Sequence, residues 1–331
     1  LLQTGMMSMD PQTGFIKAWV GGIDHHYFQY DHVKEARRQV GSTFKPFVYA
    51  AAIDQHNYSP CMKIPNVQVI FEKETWGLEE DWIPRNSGEK YGGELNLKEA
   101  LANSVNTITA YLMKQVGPRK VRKFARAMGL KGRIPPAPSI CLGTPDVSIY
   151  EMVGAYGTFA NKGVYSSPIF LNRIEDKNGI VLDEFSPITK EVLSEEKAYV
   201  ILNLMQGVTK KGSGVRLRWK YGFKNQIAGK TGTTQNHSDG WFMGIVPNLV
   251  TGVWTGATDR AVHFRTITLG QGANMALPIW GEFMTRVYAD SELAISMSDF
   301  EAPSQISIEL DCDQFDKEKI DFDEEVEYEE F

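Results

Sequence analysis

The chain places strand-like segments at both of its ends and helical segments between them. Residues 6–9 and 15–20 are short apolar runs separated by a turn rich in turn-forming residues, which predicts a hairpin. Residues 226–234, 240–246 and 250–255 predict an antiparallel meander near the other end. A sheet built from both ends of the chain, with helices packed on it, joins these pieces. The predicted fold class is therefore α+β, with a central antiparallel sheet flanked by helices.

Most of the middle of the chain has helical character. An Ala-rich apolar stretch at residues 43–53 predicts a buried helix, and residues 97–116 predict two helices with a break around 103–107. The remaining predicted elements are helices at 118–128, 147–161, 195–210 and 277–288, and a strand pair within 169–184.

The charge of the chain is unevenly distributed. Hydrophobic residues make up 42% of the 331 residues and charged residues 23%, which is ordinary for a globular protein with a sizeable core. The net charge of −6 argues against a nucleic-acid partner. Residues 301–331 hold 13 acidic residues and 2 lysines, so the rest of the chain carries +5. We therefore predict a domain at 1–298 and an acidic C-terminal extension of unknown role at 299–331, most simply a solvated one.

Cysteine and histidine patterns predict no cofactor and no metal. Cys61, Cys141 and Cys312 are far apart and odd in number, so they form neither a complete internal disulfide set nor a metal site by spacing. The six histidines show no H-E-x-x-H pattern, and the adjacent His25 and His26 fall in a predicted loop. No apolar run approaches the roughly 20 residues that span a bilayer. Since the chain starts without methionine, we expect it to be a fragment of a longer protein.

Ser42-Thr43-Phe44-Lys45 stands at the start of the predicted Ala-rich helix. Positions i and i+3 of a helix share a face, so the Lys45 amine can lie beside the Ser42 hydroxyl. A serine nucleophile needs a nearby base, and a lysine is such a base when burial and a second cation lower its pKa. The N-terminus of the helix adds free N–H groups beside the hydroxyl. The pattern is short and recurs by chance, so it needs support from other motifs.

A second short motif, Ser104-Val105-Asn106, falls in the predicted break between two helices. In an extended stretch, residues i and i+2 point the same way, so the Ser104 hydroxyl and the Asn106 amide would enter one cleft. A hydroxyl can relay a proton and an amide can hold a substrate carbonyl. The alternative is that Ser104 or Asn106 is simply the N-cap of the following helix.

The third motif, Lys230-Thr231-Gly232-Thr233, lies on the first strand of the predicted meander. Small residues and a glycine leave room for a ligand backbone alongside the strand. The lysine and two hydroxyls can bind a carboxylate, and an edge strand can pair with a peptide. The alternative is a Gly- and Thr-rich edge strand with a solvated lysine.

The order S-x-x-K, S-x-N, K-T-G is the motif set of penicillin-binding proteins and active-site-serine β-lactamases. The surrounding stretches RQVGSTFKPFVYAAAID, GGELNLKEALANSVNT, GKTGTTQNHSDGWFMGIVPNLVTGVWTGATD and ALPIWGEFM resemble those of class A penicillin-binding proteins, the bifunctional wall synthases. The resemblance covers roughly residues 5–290. It implies a penicillin-binding transpeptidase / serine β-lactamase-like fold.

For the first two motifs, the resemblance implies a serine acyl-transfer mechanism. Ser42 would attack the carbonyl between the two terminal D-alanines of a peptidoglycan stem peptide and expel D-alanine. Lys45 would accept the serine proton, and Ser104 would relay a proton toward the leaving nitrogen. Asn106 would hold the peptide side of the substrate. An acceptor amine from a second stem peptide would then attack the acyl-enzyme and form a D,D-crosslink.

For the third motif, the resemblance implies binding of the terminal carboxylate by Lys230, Thr231, Gly232 and Thr233. The backbone N–H groups of Ser42 and Thr233 would form the oxyanion hole. β-Lactam antibiotics would acylate the same serine. The family also implies a preceding glycosyltransferase domain and a membrane anchor, and hence a location at the extracytoplasmic face of the bacterial membrane.

Two other functions share the motifs. A serine β-lactamase hydrolyses its acyl-enzyme, and its best-known class uses a glutamate in an E-x-x-x-N loop downstream of S-x-N. The only such spacing here, Glu99 to Asn103, lies upstream on a predicted helix surface. A β-lactam-sensing receptor domain would be acylated once without catalysis, and the wall-synthase sequence around the motifs disfavours it.

Overall fold

A computed structural model describes residues 2–317 of the chain. Its strands occur at both ends of the chain and between the helices, and most of the strands are short. In chain order they are β1 (Leu2–Met9), β2 (Ile16–Val20), β3 (Arg38–Gln39), β4 (Lys63–Pro65), β5 (Glu94–Asn96), β6 (Asp146–Val147), β7 (Val164–Ser166), β8 (Arg173–Glu175), β9 (Val181–Glu184), β10 (Thr189–Glu191), β11 (Ala228–Thr233), β12 (Asp239–Val246) and β13 (Leu249–Ala257).

The α-helices fill the middle of the chain and close it. They are α1 (Lys45–His56), α2 (Lys73–Trp76), α3 (Leu97–Ala102), α4 (Asn106–Val116), α5 (Pro118–Ala127), α6 (Ile149–Ala160), α7 (Glu195–Lys210), α8 (Arg216–Trp219), α9 (Ile267–Gly270) and α10 (Gly272–Ala289). Within residues 2–317, none of these helices has both the length and the apolar character needed to cross a bilayer.

The central sheet has five strands in the order β11-β12-β13-β1-β2, and every pairing is antiparallel. The N-terminal strand β1 pairs with β13 from residue 2 to residue 9, so the two ends of the domain share one sheet. This confirms the α+β class and the assembly of the sheet from both ends. The remaining strands form four separate two-stranded ladders.

Alternation along β1 sends side chains to two different cores. Met6 belongs to the apolar cluster on one face with Leu277 and Trp280 of α10, whereas Met7 and Met9 belong to the larger cluster on the other face. Successive side chains of a strand point to opposite faces, so a sheet covered by helices on both sides requires this pattern. The sheet is therefore the middle layer of three.

Helix α1 lies inside the larger cluster and is buried along most of its length. Residues 45–53 are all buried, among them three consecutive alanines and the aromatic residues Phe47 and Tyr49. A helix that is apolar on all sides is stable only when other elements surround it. The first residue of this central helix, Lys45, is thus placed inside the protein.

Several predicted boundaries differ from the observed ones. The closing helix begins at Gly272 rather than residue 277, because its first turn packs against β11, where a Cβ on Gly272 would lie 2.2 Å from the Gly232 carbonyl oxygen. The helix predicted at 43–53 begins at Lys45 after a 3₁₀ turn and ends at His56, after which Asn57 takes a left-handed conformation with φ of 51°. The ladders β3–β6, β4–β5 and β7–β10 have no counterpart in the predicted elements.

The segment after residue 298 packs against the domain as far as it is described. Phe300 and Ile308 are buried in the larger core, and Cys312 forms a disulfide with Cys61, 251 positions earlier. Glu196 of α7 accepts hydrogen bonds from the backbone N–H groups of Ser307 and Ile308. The segment is therefore anchored to the domain at these points, which corrects the expectation of a purely solvated extension there, although most side chains of residues 299–317 are exposed. Residues 318–331 lie outside the described residues, and the domain boundary at 298 stays a prediction.

The disulfide predicts a stability difference between oxidised and reduced protein. Cys312→Ala should lower the free energy of unfolding by about 2–4 kcal/mol, because the bridge restrains the unfolded chain over a long loop. Urea denaturation without reductant measures this difference.

The matched control for the disulfide is the variant itself in the presence of reductant. Dithiothreitol should lower the denaturation midpoint of the unsubstituted protein and leave that of Cys312→Ala unchanged. An equal fall of the denaturation midpoint in both proteins would show that the reductant does not act through the Cys61–Cys312 bridge.

Candidate active site

Ser42 lies in a 3₁₀ turn, Gly41–Phe44, that runs directly into α1. The backbone N–H of Lys45 donates to the Ser42 carbonyl, so the two residues lie one turn apart on the same side. Ser42 is partly exposed, whereas Lys45 is fully buried. Pro46 fits in the first turn of α1, where a proline removes no helical hydrogen bond. The partly exposed Ser42 thus lies one turn before the buried Lys45.

The Lys45 amine has two short hydrogen bonds and, among residues 2–317, no acidic hydrogen-bond partner. Its Nζ donates to the carbonyl oxygen of Ser104 and to Oδ1 of Asn106, both at 2.6 Å. Burial lowers the pKa of Lys45 to about 7, and the neighbouring Cys141 acts in the opposite direction; burial raises the pKa of the Cys141 thiol itself to about 12. A neutral amine that uses both N–H groups as donors keeps a lone pair. Lys45 can therefore accept a proton near neutral pH.

The segment at Ser104 is a sharp break between α3 and α4 rather than an extended stretch. Ser104 has a φ of +58°, which L-residues rarely adopt, and Val105 is extended. Asn106 is the first residue of α4, and the side chain of Asn86 accepts hydrogen bonds from the N–H groups of Asn106 and Thr107. The first turn of α4 is thus capped by Asn86. Neither the extended geometry nor the N-cap alternative is observed.

Lys230 and Lys45 donate to different oxygen atoms of Ser104. Its Nζ donates to Ser104 Oγ at 2.9 Å and to the Thr231 carbonyl at 3.2 Å. Complete burial, and then the charge of Lys45, lower the pKa of Lys230 well below its ordinary value. Ser104 therefore receives one amine at its carbonyl oxygen and another at its hydroxyl, and the two lysines are linked through it.

The remaining residues of the third motif lie on β11, an edge strand of the five-stranded sheet. The hydroxyl of Thr231 shares a hydrogen bond of 2.6 Å with that of Ser213, and Thr233 Oγ1 accepts from the Gly272 N–H at 3.1 Å. Both hydroxyls are thus held in place, and the outer side of β11 is not paired with another strand of the described sheet.

Two glycines allow the nucleophile segment to pack backbone against backbone on β11. A Cβ on Gly41, whose φ is +53°, would lie 2.6 Å from the Thr233 carbonyl oxygen. A Cβ on Gly232 would lie 2.6 Å from the carbonyl oxygen of Val40. A residue with a Cβ atom would clash at either position unless the backbone moved, so both positions require glycine. The residue after Gly41 is therefore set close to Thr233.

The structure brings all three predicted motifs together, and it adds residues that the motifs did not indicate. Ser213 contacts Thr231, Asn86 caps the helix of Asn106, and the Cys141 thiol neighbours Lys45. The small residues at 212–214 were a weak signal for Ser213. His25 and His26 lie in an exposed loop.

A serine–lysine pair at the start of a buried helix, facing a lysine-bearing edge strand across a second serine, is the arrangement of the penicillin-recognising serine proteins. The comparisons agree. Residues 4–258 match the family model of the penicillin-binding protein transpeptidase domain. The chain therefore belongs to the penicillin-binding protein transpeptidase domains, and among them to the class A type.

Similar proteins come from distant bacteria. Penicillin-binding protein 1A of Aquifex aeolicus is 35% identical over 92% of the chain and 40% of its own length. The crystal structure of penicillin-binding protein 1A from Haemophilus influenzae has a TM-score of 0.82 at 24% identity, covering 92% of the chain and 49% of that chain. The PonA1 protein of Mycobacterium tuberculosis in complex with penicillin V has a TM-score of 0.77 at 23% identity, covering 94% and 83%. The chain thus spans about 40% of the length of this curated relative.

The environment of Lys45 predicts an unusual titration. In protein labelled with 13C-lysine, the Cε resonance that disappears in Lys45→Met should titrate with a midpoint at about pH 7. Asn106→Asp should move this midpoint upward, because a carboxylate in hydrogen-bond reach of Nζ favours the charged amine. A Lys45 midpoint above about 9 would contradict the neutral amine.

Proposed function

We propose that the chain is a D,D-transpeptidase domain that crosslinks peptidoglycan stem peptides through an acyl-enzyme on Ser42. The observation that carries this proposal is the Lys45 amine, buried, with its pKa lowered to about 7 and one turn from the Ser42 hydroxyl. A serine hydroxyl is a weak nucleophile at its ordinary pKa, and an adjacent neutral amine removes that obstacle.

In the first half-reaction, Ser42 Oγ attacks the carbonyl carbon between the two terminal D-alanines of the donor peptide, and its proton passes to Lys45 Nζ. The negative charge on the carbonyl oxygen is taken by the N–H groups of Ser42 and Thr233. One such donor is typically worth about 10²–10³ in rate. When the carbon–nitrogen bond breaks, Ser104 donates its hydroxyl proton to the departing D-alanine amine and takes a proton from the protonated Lys45 amine. Both groups thereby return to their neutral forms, and an ester on Ser42 remains.

Substrate binding is assigned to β11 and the start of α4. The hydroxyls of Thr231 and Thr233, with Lys230, bind the terminal carboxylate, and Gly232 leaves space for the peptide to lie along the strand. The side-chain amide of Asn106 faces the peptide from the opposite wall. Its Nδ2 donates to the carbonyl of Arg85 and its Oδ1 accepts from Lys45, so its orientation is fixed.

In the second half-reaction, an amine from another stem peptide attacks the ester and forms the crosslink. Its proton returns through the same amine and hydroxyl groups, so Ser42 is regenerated. β-Lactam antibiotics enter the same path, because their strained amide occupies the place of the D-alanyl bond. The likeness to a protein solved with penicillin V supports this part of the proposal.

The parent protein is proposed to act at the extracytoplasmic face of the bacterial membrane, with a glycosyltransferase domain and a membrane anchor in the part of the protein outside this chain. The Cys61–Cys312 disulfide supports that location, because such bonds persist mainly in oxidising compartments. Residues 1–298 are assigned as the catalytic domain, and the role of 299–331 is left unassigned.

The covalent step is tested with penicillin and mass spectrometry. We expect one adduct per chain, located by tryptic mapping on the peptide that contains Ser42, and no adduct on Ser42→Ala. Ser194→Ala, which removes the N-cap of α7 and no group of the site, is the control and should label normally. Labelling that survives Ser42→Ala would overturn the assignment of the nucleophile.

The rate of acylation should follow the protonation of Lys45. Because the neutral amine is the active form, the acylation rate should rise about tenfold per pH unit below pH 7 and level off above it. Stopped-flow labelling with a fluorescent penicillin between pH 5 and 9 measures this profile. A rate that is flat across this range, or that falls as the pH rises through 7, would exclude Lys45 as the base.

Persistence of the adduct distinguishes a transpeptidase from a β-lactamase. In the only E-x-x-x-N pair, Glu99 lies on α3 and Asn103 is the residue that follows this helix, where its Nδ2 donates to the carbonyl of Glu99. Without a base that positions water, the ester loses a proximity advantage of several kcal/mol, so bound label should remain for minutes to hours. Turnover of a chromogenic cephalosporin within seconds would instead indicate a β-lactamase, and detectable crosslinking would exclude a non-catalytic sensor.

A further inference from the structure

A fully buried carboxylate, Asp239, stands at the start of β12 and has no part in the chemistry proposed above. Its Oδ1 accepts hydrogen bonds from Arg38 Nε at 2.7 Å and from Trp254 Nε1 at 2.9 Å. Its Oδ2 accepts from the hydroxyls of Ser238 at 2.8 Å and Thr234 at 3.1 Å. A buried carboxylate with four donors is held in one orientation, because each donor would lose its partner if it turned.

Arg38 is held as firmly as its partner. Beyond Asp239, its guanidinium donates to the carbonyl oxygens of Thr258 at 3.0 Å and Ala257 at 2.9 Å, at the end of β13. The guanidinium carbon also lies 4.9 Å from the ring centroid of Trp254. Only 11% of the Arg38 side chain is exposed, so this ion pair is shielded from solvent screening.

The pair joins two segments that lead to different parts of the site. Arg38 belongs to β3, four residues before Ser42. Asp239 closes the turn that leaves β11, since its N–H donates to Thr234 Oγ1 at 3.0 Å and its carbonyl accepts from the Thr234 N–H at 3.2 Å. Thr234 directly follows Thr233. The ion pair therefore links the approach to Ser42 with the exit from Thr233.

A second contact joins the same two segments. The indole N–H of Trp241, two residues after Asp239, donates to the carbonyl oxygen of Gln39, the residue after Arg38, at 2.8 Å. Together with the close backbone packing at Gly41 and Gly232, these contacts leave little freedom between the nucleophile segment and β11.

We propose that Arg38 and Asp239 are positioning residues that set the separation of the two oxyanion-hole donors, the backbone N–H groups of Ser42 and Thr233. This inference rests on the proposed function, because it assigns a role within that acylation. Neither residue touches the substrate. Their effect is on the geometry in which the developing negative charge is received, which must be fixed before the reaction.

The proposal predicts a specific kinetic defect. A donor displaced from the oxyanion position stabilises the transition state less while leaving ground-state binding nearly intact. Arg38→Gln and Asp239→Asn should therefore slow the acylation step about ten- to a hundredfold, within the value of a single oxyanion donor. The dissociation constant of the preceding non-covalent penicillin complex should change by less than about threefold.

Arg37→Gln is the matched control for general destabilisation. Arg37 is the neighbouring residue, and it pairs, at 2.8 and 3.0 Å, with the buried carboxylate of Glu151 on α6, although 46% of the Arg37 side chain is exposed against 11% for Arg38. That pair contacts neither β11 nor the turn after it. Its loss should lower the midpoint of urea denaturation, as Arg38→Gln also does, and leave the acylation step within about twofold of the unsubstituted protein.

The experiment is stopped-flow acylation by a fluorescent penicillin over a range of concentrations, which separates the acylation rate constant from the dissociation constant. The double variant Arg38→Gln/Asp239→Asn should be no slower than the slower single variant, because both residues act through one link. Asp239→Asn, which keeps the shape of the side chain, provides the measurement if Arg38→Gln does not fold.

The outcomes separate the two proposals. Absence of covalent labelling in the unsubstituted protein would overturn the proposed function. Normal labelling of that protein, with an unchanged acylation step in Asp239→Asn or an equal slowing in Arg37→Gln, would overturn the positioning role and leave the proposed function standing. The positioning role would also be overturned if the slower labelling came entirely from a larger dissociation constant of the non-covalent penicillin complex.

Discussion

The burial of the Lys45 amine is the constraint on which the site depends. An ammonium group inside a protein is costly unless it is paired, and Lys45 has two oxygen acceptors and no carboxylate in hydrogen-bond contact within the described part of the chain. The low-cost form is therefore the neutral amine, which agrees with a pKa of about 7. Its two acceptors come from the break between α3 and α4. The buried neutral amine thus results from the packing of α1 against that break, and the left-handed conformation of Ser104 is part of the arrangement.

Much of this organisation could be predicted from the sequence, because it depends on local sequence patterns. The α7 helix, residues 195–210, was predicted to the residue, the meander strands to within a few residues, and the order of the three motifs indicated the family. Contacts between distant residues left no such signal. The Cys61–Cys312 bridge spans 251 positions, and an odd number of cysteines does not say which one is left free.

The site itself was predicted as a list of residues, while its geometry was not. The wrong expectation at 104–106 came from treating a short polar segment as extended, although Asn86, 20 residues before Asn106, supplies the cap that lets α4 begin there. The Arg38–Asp239 pair joins residues 201 positions apart and belongs to none of the three motifs. Residues that hold a site in shape act through the fold, so their role becomes visible only when the fold is known.

Within the proposed mechanism, the two buried amines also account for the role of Ser104 as a proton donor. Lys230 donates to Ser104 Oγ, so the hydroxyl hydrogen of Ser104 is not needed for that bond and can point toward the leaving nitrogen. When Lys45 takes the proton of Ser42, its new charge lies close to Lys230 and opposes a second charge there. The site therefore accommodates one extra proton at a time. In the proposed mechanism this proton passes onward to the leaving amine, which couples acylation to the departure of D-alanine. Burial lowers the pKa of Lys230 most, and the charge of Lys45 adds to that effect.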